Sequence, residues 1–264
     1  MLWLIGHLLA VCIGLSLGLI GGGGSILAVP ILVYVMGVGA KAAIAMSLVI
    51  VGIVSLIGAI PHGLQGNVNL RTAAVFTPAA MLGAYLGARL AGLPFISDTF
   101  QLICFGIVMV LASVLMIKKG KVELSLIQGN RQPAVATQVA IQKDHSHSSF
   151  LIPVEGLGVG ILTGFVGVGG GFMIIPALVL LGSLPMKEAI GTSLLIIAAK
   201  SATGFLGYLN QVSVDWALVI SFTLTASVGT LAGSYLTRFI DAKHLQKGFG
   251  YFVLAVAIFV LIRR

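Results

Sequence analysis

Apolar runs of about twenty residues, the length that carries a helix across the hydrocarbon core of a bilayer, follow one another along nearly the whole chain with short polar gaps between them. With 58% of 264 residues hydrophobic, 8% charged and a mean hydropathy of +1.13, the apolar surface exceeds what a core of this size can bury from water. Lipid must be the solvent, and the chain reads as a polytopic membrane protein. A backbone facing lipid has to satisfy its hydrogen bonds internally, and alternating segments of about ten residues, the mark of a membrane barrel, are missing. The expected fold class is all-α.

The balance of 15 Lys and Arg against 7 Asp and Glu gives a net charge of +8. The basic residues sit almost wholly in the gaps between apolar runs, where they orient helices by the positive-inside rule, and no nucleic-acid partner is expected. Cys12 and Cys104 lie inside apolar runs and read as small hydrophobes, so no disulfide framework is indicated. The first twenty residues lack a basic leader region and flow into a second apolar stretch, so they are expected to be retained transmembrane sequence.

Shifting the chain by 146 residues aligns Gly14–Leu90 with Gly160–Leu236 without a gap, and 24 of the 77 pairs are identical. The chain is a tandem duplication. Informative pairs include Gly18/Gly164, Gly21/Gly167, Gly23/Gly169, Gly24/Gly170, Pro30/Pro176, Ser47/Ser193 and Ser55/Ser201. Each half carries four apolar blocks: Leu2–Met36, Ala42–Ile60, Thr72–Gly92 and Phe95–Ile117, then Phe150–Gly182, Ala189–Leu209, Val214–Thr237 and Leu245–Ile262. The domain organisation is thus a first transmembrane repeat over 1–117, a polar linker over 118–149 read as cytoplasmic, and a second transmembrane repeat over 150–264.

The first block of each half is too long for one crossing, since about 35 helical residues measure about 52 Å against a core of about 30 Å. Its midpoint holds Gly21-Gly22-Gly23-Gly24-Ser25 in one half and Gly167-Val168-Gly169-Gly170-Gly171 in the other, so the helix must break or fold back there. Two crossings per long block give five helices per half and halves of opposite orientation. That arrangement puts ten basic residues inside and Lys41, Arg89, Arg263 and Arg264 outside, with Lys200 uncounted inside a helix, whereas single crossings give eight against six. The positive-inside rule favours the inverted five-plus-five arrangement.

Glycine clusters at membrane depth leave backbone groups that hydrocarbon cannot satisfy, so they belong where protein or a water-filled cavity covers them. Discontinuous helices at matching points of two repeats point to a transporter's substrate site, because half-helix N-termini aim N–H groups and partial positive charge at an anion. A side chain at Gly24 or Gly170 is expected to fill that space. Gly83 and Gly87 form a GxxxG pattern that reads as helix packing. Neither glycine cluster continues as a phosphate-binding loop.

Gly18-Leu-Ile-Gly-Gly-Gly-Gly-Ser25 followed by Pro30, and Gly164-Phe-Val-Gly-Val-Gly-Gly-Gly171 followed by Pro176 and Ala189-Ile-Gly-Thr-Ser-Leu194, resemble the duplicated signature of the TauE/SafE family of sulfite and organosulfonate permeases. The resemblance covers nearly the whole chain apart from the linker. It implies a secondary carrier of small sulfur-containing anions in a prokaryotic inner membrane. The first half departs from the pattern, with Ala45-Met46-Ser47-Leu48 where the second has Gly191-Thr192-Ser193-Leu194, which puts an equal share of the two halves in substrate binding in question.

Lys200 stands midway along an apolar block, where a charge costs about 2.5–3.5 kcal/mol on insertion scales and usually faces a cavity or a partner. Its repeat equivalent is Val54. The expected roles are an anion-facing or gating cation, or burial against helix-end carbonyls. Ser47, Thr192 and Ser193 can donate to anion oxygens or bond back to their own helices. The candidate substrate-binding set is therefore Gly21, Gly22, Gly23, Gly24, Ser25, Ser47, Gly167, Gly169, Gly170, Gly171, Thr192, Ser193 and Lys200. Gln65, Asn67, Asn210 and Gln211 read as helix-end caps, and Glu155 as a residue near the interface with a lesser claim to coupling a proton. Asp144-His145-Ser146-His147 offers too few ligands for a metal, and His7 and His62 are isolated. No nucleophile stands beside a base and no carboxylates are paired, so no catalytic residue, metal or cofactor is expected.

The expected function is a secondary transporter in which a small anion binds between two rocking halves, its partners being that anion and the lipid bilayer. The scarcity of intramembrane carboxylates that might carry a coupling ion tilts the expectation to export. A passive anion channel and a non-transporting scaffold or receptor are the alternatives, which flux through liposomes separates.

Overall fold

The computed structural model describes residues 2–91, 93, 96, 100, 103–104, 106–107, 109–111, 113–114, 151–166, 171–180, 182, 184–208, 212–241, 247–248, 251, 254–255 and 257–258. Its helices are α1 (Leu2–Ile20), α2 (Gly23–Pro30), which continues as a π-helical turn (Ile31–Val35), α3 (Ala40–Leu64), α4 (Leu70–Ala91), α5 (Leu151–Val166), α6 (Gly171–Leu180), α7 (Met186–Tyr208) and α8 (Trp216–Leu236), which tightens into a 3₁₀ turn (Thr237–Phe239). No strand occurs among the described residues, and five helices are long and apolar enough to cross a membrane: α1, α3, α4, α7 and the stretch Trp216–Phe239. The protein is an all-α, multi-pass membrane protein. The linker lies outside the described residues, and the blocks Phe95–Ile117 and Leu245–Ile262 are described only in part.

The long first block folds back on itself. Gly21 takes φ +73, a left-handed value that glycine adopts without a steric penalty, and Gly22 follows as the N-cap of α2. Beyond this reversal the chain runs back along α1: Gly24 packs on Ile13 and Leu17, and Met36 reaches Gly6. Pro30 has no N–H to give to the turn before it, and the helix widens just after it, with the Met36 N–H donating to the Ile31 carbonyl at 3.1 Å. The second half repeats the device after Pro176, where the Gly182 N–H donates to the Ala177 carbonyl at 3.0 Å.

Glycine contacts set the direction of each helix. On α1, Gly14 faces Ala226 and Thr230 while Gly18 faces Thr230 and Ser234, so α1 and α8 run parallel. On α4, Gly83 faces Leu157 and Gly87 faces Phe165, so α4 and α5 also run parallel. By contrast, Gly204 of α7 meets Leu48 of α3 while Gly58 of α3 meets Leu194 of α7, so these central helices run antiparallel. Helices that start 146 residues apart, α3 at Ala40 and α7 at Met186, therefore point in opposite directions. In the α1–α8 and α4–α5 pairs an added Cβ would collide with the facing backbone, as at Gly14 with Ala226 and at Gly87 with Ile161. This is the small-residue packing that replaces hydrophobic driving force between helices in lipid.

The outer surface is apolar. Leu4, Leu8, Ile220, Leu224 and Val228 are exposed, a surface that lipid covers and water would not tolerate. Trp3 and Trp216 are exposed at the starts of the parallel helices α1 and α8, on one face of the bundle, as interfacial anchors are.

Candidate functional site

The described end of the second glycine cluster, Gly171, meets the first cluster. Gly171, the first residue of α6, lies so close to the first half that an added Cβ would stand 2.5 Å from Gly22 Cα and 3.1 Å from the Gly21 carbonyl oxygen, with Ile197 of α7 closing the third side. Gly21 in turn is pressed against Ile190 and Ser193 of α7. The last carbonyls of a broken helix lack intrahelical donors, and at Gly21 a side chain of α7 reaches one of them. The Gly21 N–H donates to the Leu17 carbonyl at 2.7 Å, and the Ser193 hydroxyl lies 3.2 Å from the Gly21 carbonyl oxygen while pointing chiefly to Ile190 at 2.7 Å. The Ser25 hydroxyl donates to the Gly22 carbonyl at 2.7 Å. Among the described residues no side chain caps the N-terminus of α2 at Gly22, which leaves its first N–H groups without a side-chain acceptor from the cap residue.

The other candidates divide. Gly24 is a packing position, because its Cα faces the Ile13 carbonyl and Leu17, and a side chain there would meet α1. The Ser47 hydroxyl donates back to the Ile44 carbonyl at 2.7 Å, and Thr192 Oγ1 accepts the Asn69 N–H at 2.9 Å from the α3–α4 connection. Gly167, Gly169 and Gly170 lie outside the described residues, as do Asn210, Gln211 and the histidines of the linker. Gln65 is the C-cap of α3 and Asn67 follows it, Asn67 Nδ2 donating to Gln65 Oε1 at 3.4 Å. Glu155 is partly buried early in α5.

Lys200 is 2% exposed. Its Nζ donates to Thr163 Oγ1 of α5 at 2.7 Å, and Thr163 in turn leans on the Gly160 carbonyl at 3.2 Å. The lysine stands one turn beyond Ile197, which touches Gly171, and Thr163 stands one turn before the second glycine cluster. Among the described residues this buried amino group thus has a neutral hydroxyl as its partner. One residue further, Ser201 and its repeat equivalent Ser55 are both buried, and their hydroxyls have no partner among the described residues. An apolar crevice of about 460 Å³ opens between α3 and α7 past Gly52, Ile53 and Phe205. Its lining is apolar apart from Ser201.

Sequence reasoning missed the partners that hold the breaks in place. His62 Nε2 lies 3.0 Å from the Gly18 carbonyl oxygen, and the Tyr208 hydroxyl donates to the Gly164 carbonyl at 3.1 Å. Positions 62 and 208 are equivalent under the 146-residue shift, as are 18 and 164. The signal was available, since the shift pairs one polar ring with another.

Parallel and antiparallel helices packed through glycine, with α6 of the second half meeting the reversal in the first, make this a multi-pass helical membrane protein. The chain belongs to the sulfite exporter TauE/SafE family, which it matches over residues 7–260. A probable membrane transporter protein of Xylella fastidiosa strain Temecula1 is 34% identical over 258 residues, covering 95% of this chain and 92% of that protein. YunE and YdhB of Bacillus subtilis, each also named a probable membrane transporter protein, are 28% identical over 242 residues and 25% over 225, covering 85% of this chain and 85% and 84% of those proteins. No solved structure matches the chain.

Proposed function

We propose that this protein is a secondary transporter that moves a small sulfur-containing anion, such as sulfite or an organosulfonate, across a prokaryotic inner membrane. The observation that carries the reading is the junction of Gly171 with Gly21 and Gly22. Two half-helices begin where the halves touch, and backbone N–H groups at half-helix N-termini are the anion-binding device of discontinuous-helix transporters. Lys200 adds a buried amino group one turn beyond Ile197, and Ser55 and Ser201 on the central helices hold hydroxyls with no partner among the described residues. Transport proceeds by alternating access. The opposed directions of α3 and α7 and the parallel pairs α1–α8 and α4–α5 support an inverted repeat whose halves rock about the junction.

The direction is export. A divalent anion leaving a cell held at about 100 mV, negative inside, gains about 4.6 kcal/mol without a coupled ion. The test is a thermal-shift series on purified protein with sulfite, sulfate, thiosulfate and small sulfonates. A ligand at about 100 times its Kd stabilises by about 2.7 kcal/mol, so one of these anions raises the melting temperature in a saturable way. Identical melting curves with all of them would remove the anion site.

A further inference from the structure

The equivalent contacts Gly18–His62 and Gly164–Tyr208 differ in one chemical respect. In each half a buried polar ring near the end of the central helix donates to the carbonyl of a glycine on its own half's first helix, in the turn that leads into the break. The Gly18 carbonyl can only accept, so His62 Nε2 carries the hydrogen and Nδ1 is the acceptor nitrogen. His62 is fully buried, and Nδ1 has no partner among the described residues. Tyr208 supplies the same donor from a phenol that keeps its proton throughout the physiological range. One latch can take up a proton and the other cannot.

We propose that His62 is a proton-binding site coupled to the break in α1. A proton added from water to Nδ1 creates an imidazolium with a second N–H and breaks no bond to Gly18. In this conformation that N–H is buried without an acceptor. Among the described residues the groups nearest the ring are neutral: α1 gives the Gly18 carbonyl, the 3₁₀ turn gives Thr237 Oγ1, which donates to the same carbonyl at 3.2 Å, and α7 gives Gly191, packed on His62 Cβ. The connection after α3 gives the Asn67 N–H, bound to the His62 carbonyl at 2.9 Å. Charged residues on these elements are Lys187 and Glu188 in the first turn of α7, Lys200 more than three turns further along it, and Arg238, which is exposed and stacks over Tyr235. Proton binding therefore favours a conformation in which the His62 Nδ1 edge reaches water or an acceptor, and because Nε2 is tied to the Gly18 carbonyl, turning the ring that way gives up the α1–α3 contact. By linkage, a proton on His62 and the closed form of the first glycine break oppose each other. The consequence for transport rests on the reading above; the proton site itself does not.

Two measurements on the full chain in detergent test this. In ¹⁵N-histidine spectra, the signal that disappears in His62→Tyr is expected to show Nδ1 gaining a proton as pH falls from about 8 to about 5, the range in which imidazoles titrate. A His62 signal that stays neutral throughout overturns the proposal, whatever the protein transports. In the second measurement, the affinity for sulfite is followed over the same range in wild type and in His62→Tyr, which keeps the donor to Gly18 as Tyr208 does. Comparing the two cancels the titration of sulfite itself. The wild-type change is expected to differ from the variant's by about tenfold, and superimposable profiles overturn the coupling. His62→Gln, which also retains a donor, replaces the tyrosine variant if that one does not fold. Should neither protein bind sulfite at any pH, the transporter reading fails while the nitrogen spectra still decide the proton site.

Discussion

Lys200 Nζ donates to Thr163 Oγ1 across α7 and α5 at 2.7 Å, and the equivalent positions in the first half hold Val54 and Leu17. Two apolar residues hold these places in one half and a buried lysine with a hydroxyl partner holds them in the other, so the shared architecture does not need the amino group. If the charge serves the anion, Lys200→Met weakens sulfite affinity at least about tenfold, or about 1.4 kcal/mol, and Lys200→Arg keeps part of it. A lysine with a purely structural role gives the opposite pattern, unchanged affinity with a shifted melting temperature, because an apolar replacement of a buried charge is often neutral or stabilising. Isotherms and melting curves of the two variants in one detergent separate these outcomes.

Gly21 combines a left-handed backbone with crowding against Ser193 and Ile190, whereas Gly66 has a similar φ of +73 in open space. Gly66→Ala bears only the backbone penalty of about 1–2 kcal/mol. Gly21→Ala bears that and the collision, so its melting temperature falls further. Equal melting temperatures for the two variants would show that the junction relaxes freely.

Gly24 and Gly87 both face backbone, at the Ile13 and Ile161 carbonyls respectively. Leucine at either site has to push two helices apart. Both variants are expected to lose the monodisperse peak in size-exclusion chromatography, and a well-folded Gly87→Leu would contradict the glycine packing of α4 on α5.

Opposed directions for α3 and α7 carry a topological consequence. A tag after Arg264 and a tag in the linker near Gln138 are expected on opposite faces of the membrane, because five crossings separate them in the inverted arrangement. Impermeant labelling of intact cells reads this directly, and finding both tags on one face would support four crossings per half.

The fold was largely legible because lipid imposes simple rules. The apolar blocks marked the helices, and the excess length of Leu2–Met36 with its glycine cluster marked the reversal that occurs at Gly21 and Gly22. The helix ends were less legible: α3 extends to Leu64, beyond the expected Ile60, since Pro61 and His62 remain in its last turn. Within the site, the sequence shows which residue types are unusual for a membrane but not what they touch. Ser47 and Ser193 carry hydroxyls that their own helices occupy, while those of Ser55 and Ser201 have no partner among the described residues, and no local pattern distinguishes the pairs. His62 looked isolated because its partner, Gly18, is 44 residues away and presents only a carbonyl oxygen.

The central claim is carrier-type movement of a sulfur oxyanion through the junction of the two glycine breaks, and counterflow in proteoliposomes tests it most directly. Vesicles containing the purified protein and loaded with unlabelled sulfite are diluted into a trace of ³⁵S-sulfite, and the label inside is followed with time. A carrier predicts a transient accumulation of label that saturates with internal sulfite and is reduced in Lys200→Met. Label that merely equilibrates, at the rate seen in vesicles without protein or at a channel-like rate indifferent to internal sulfite, would contradict the account.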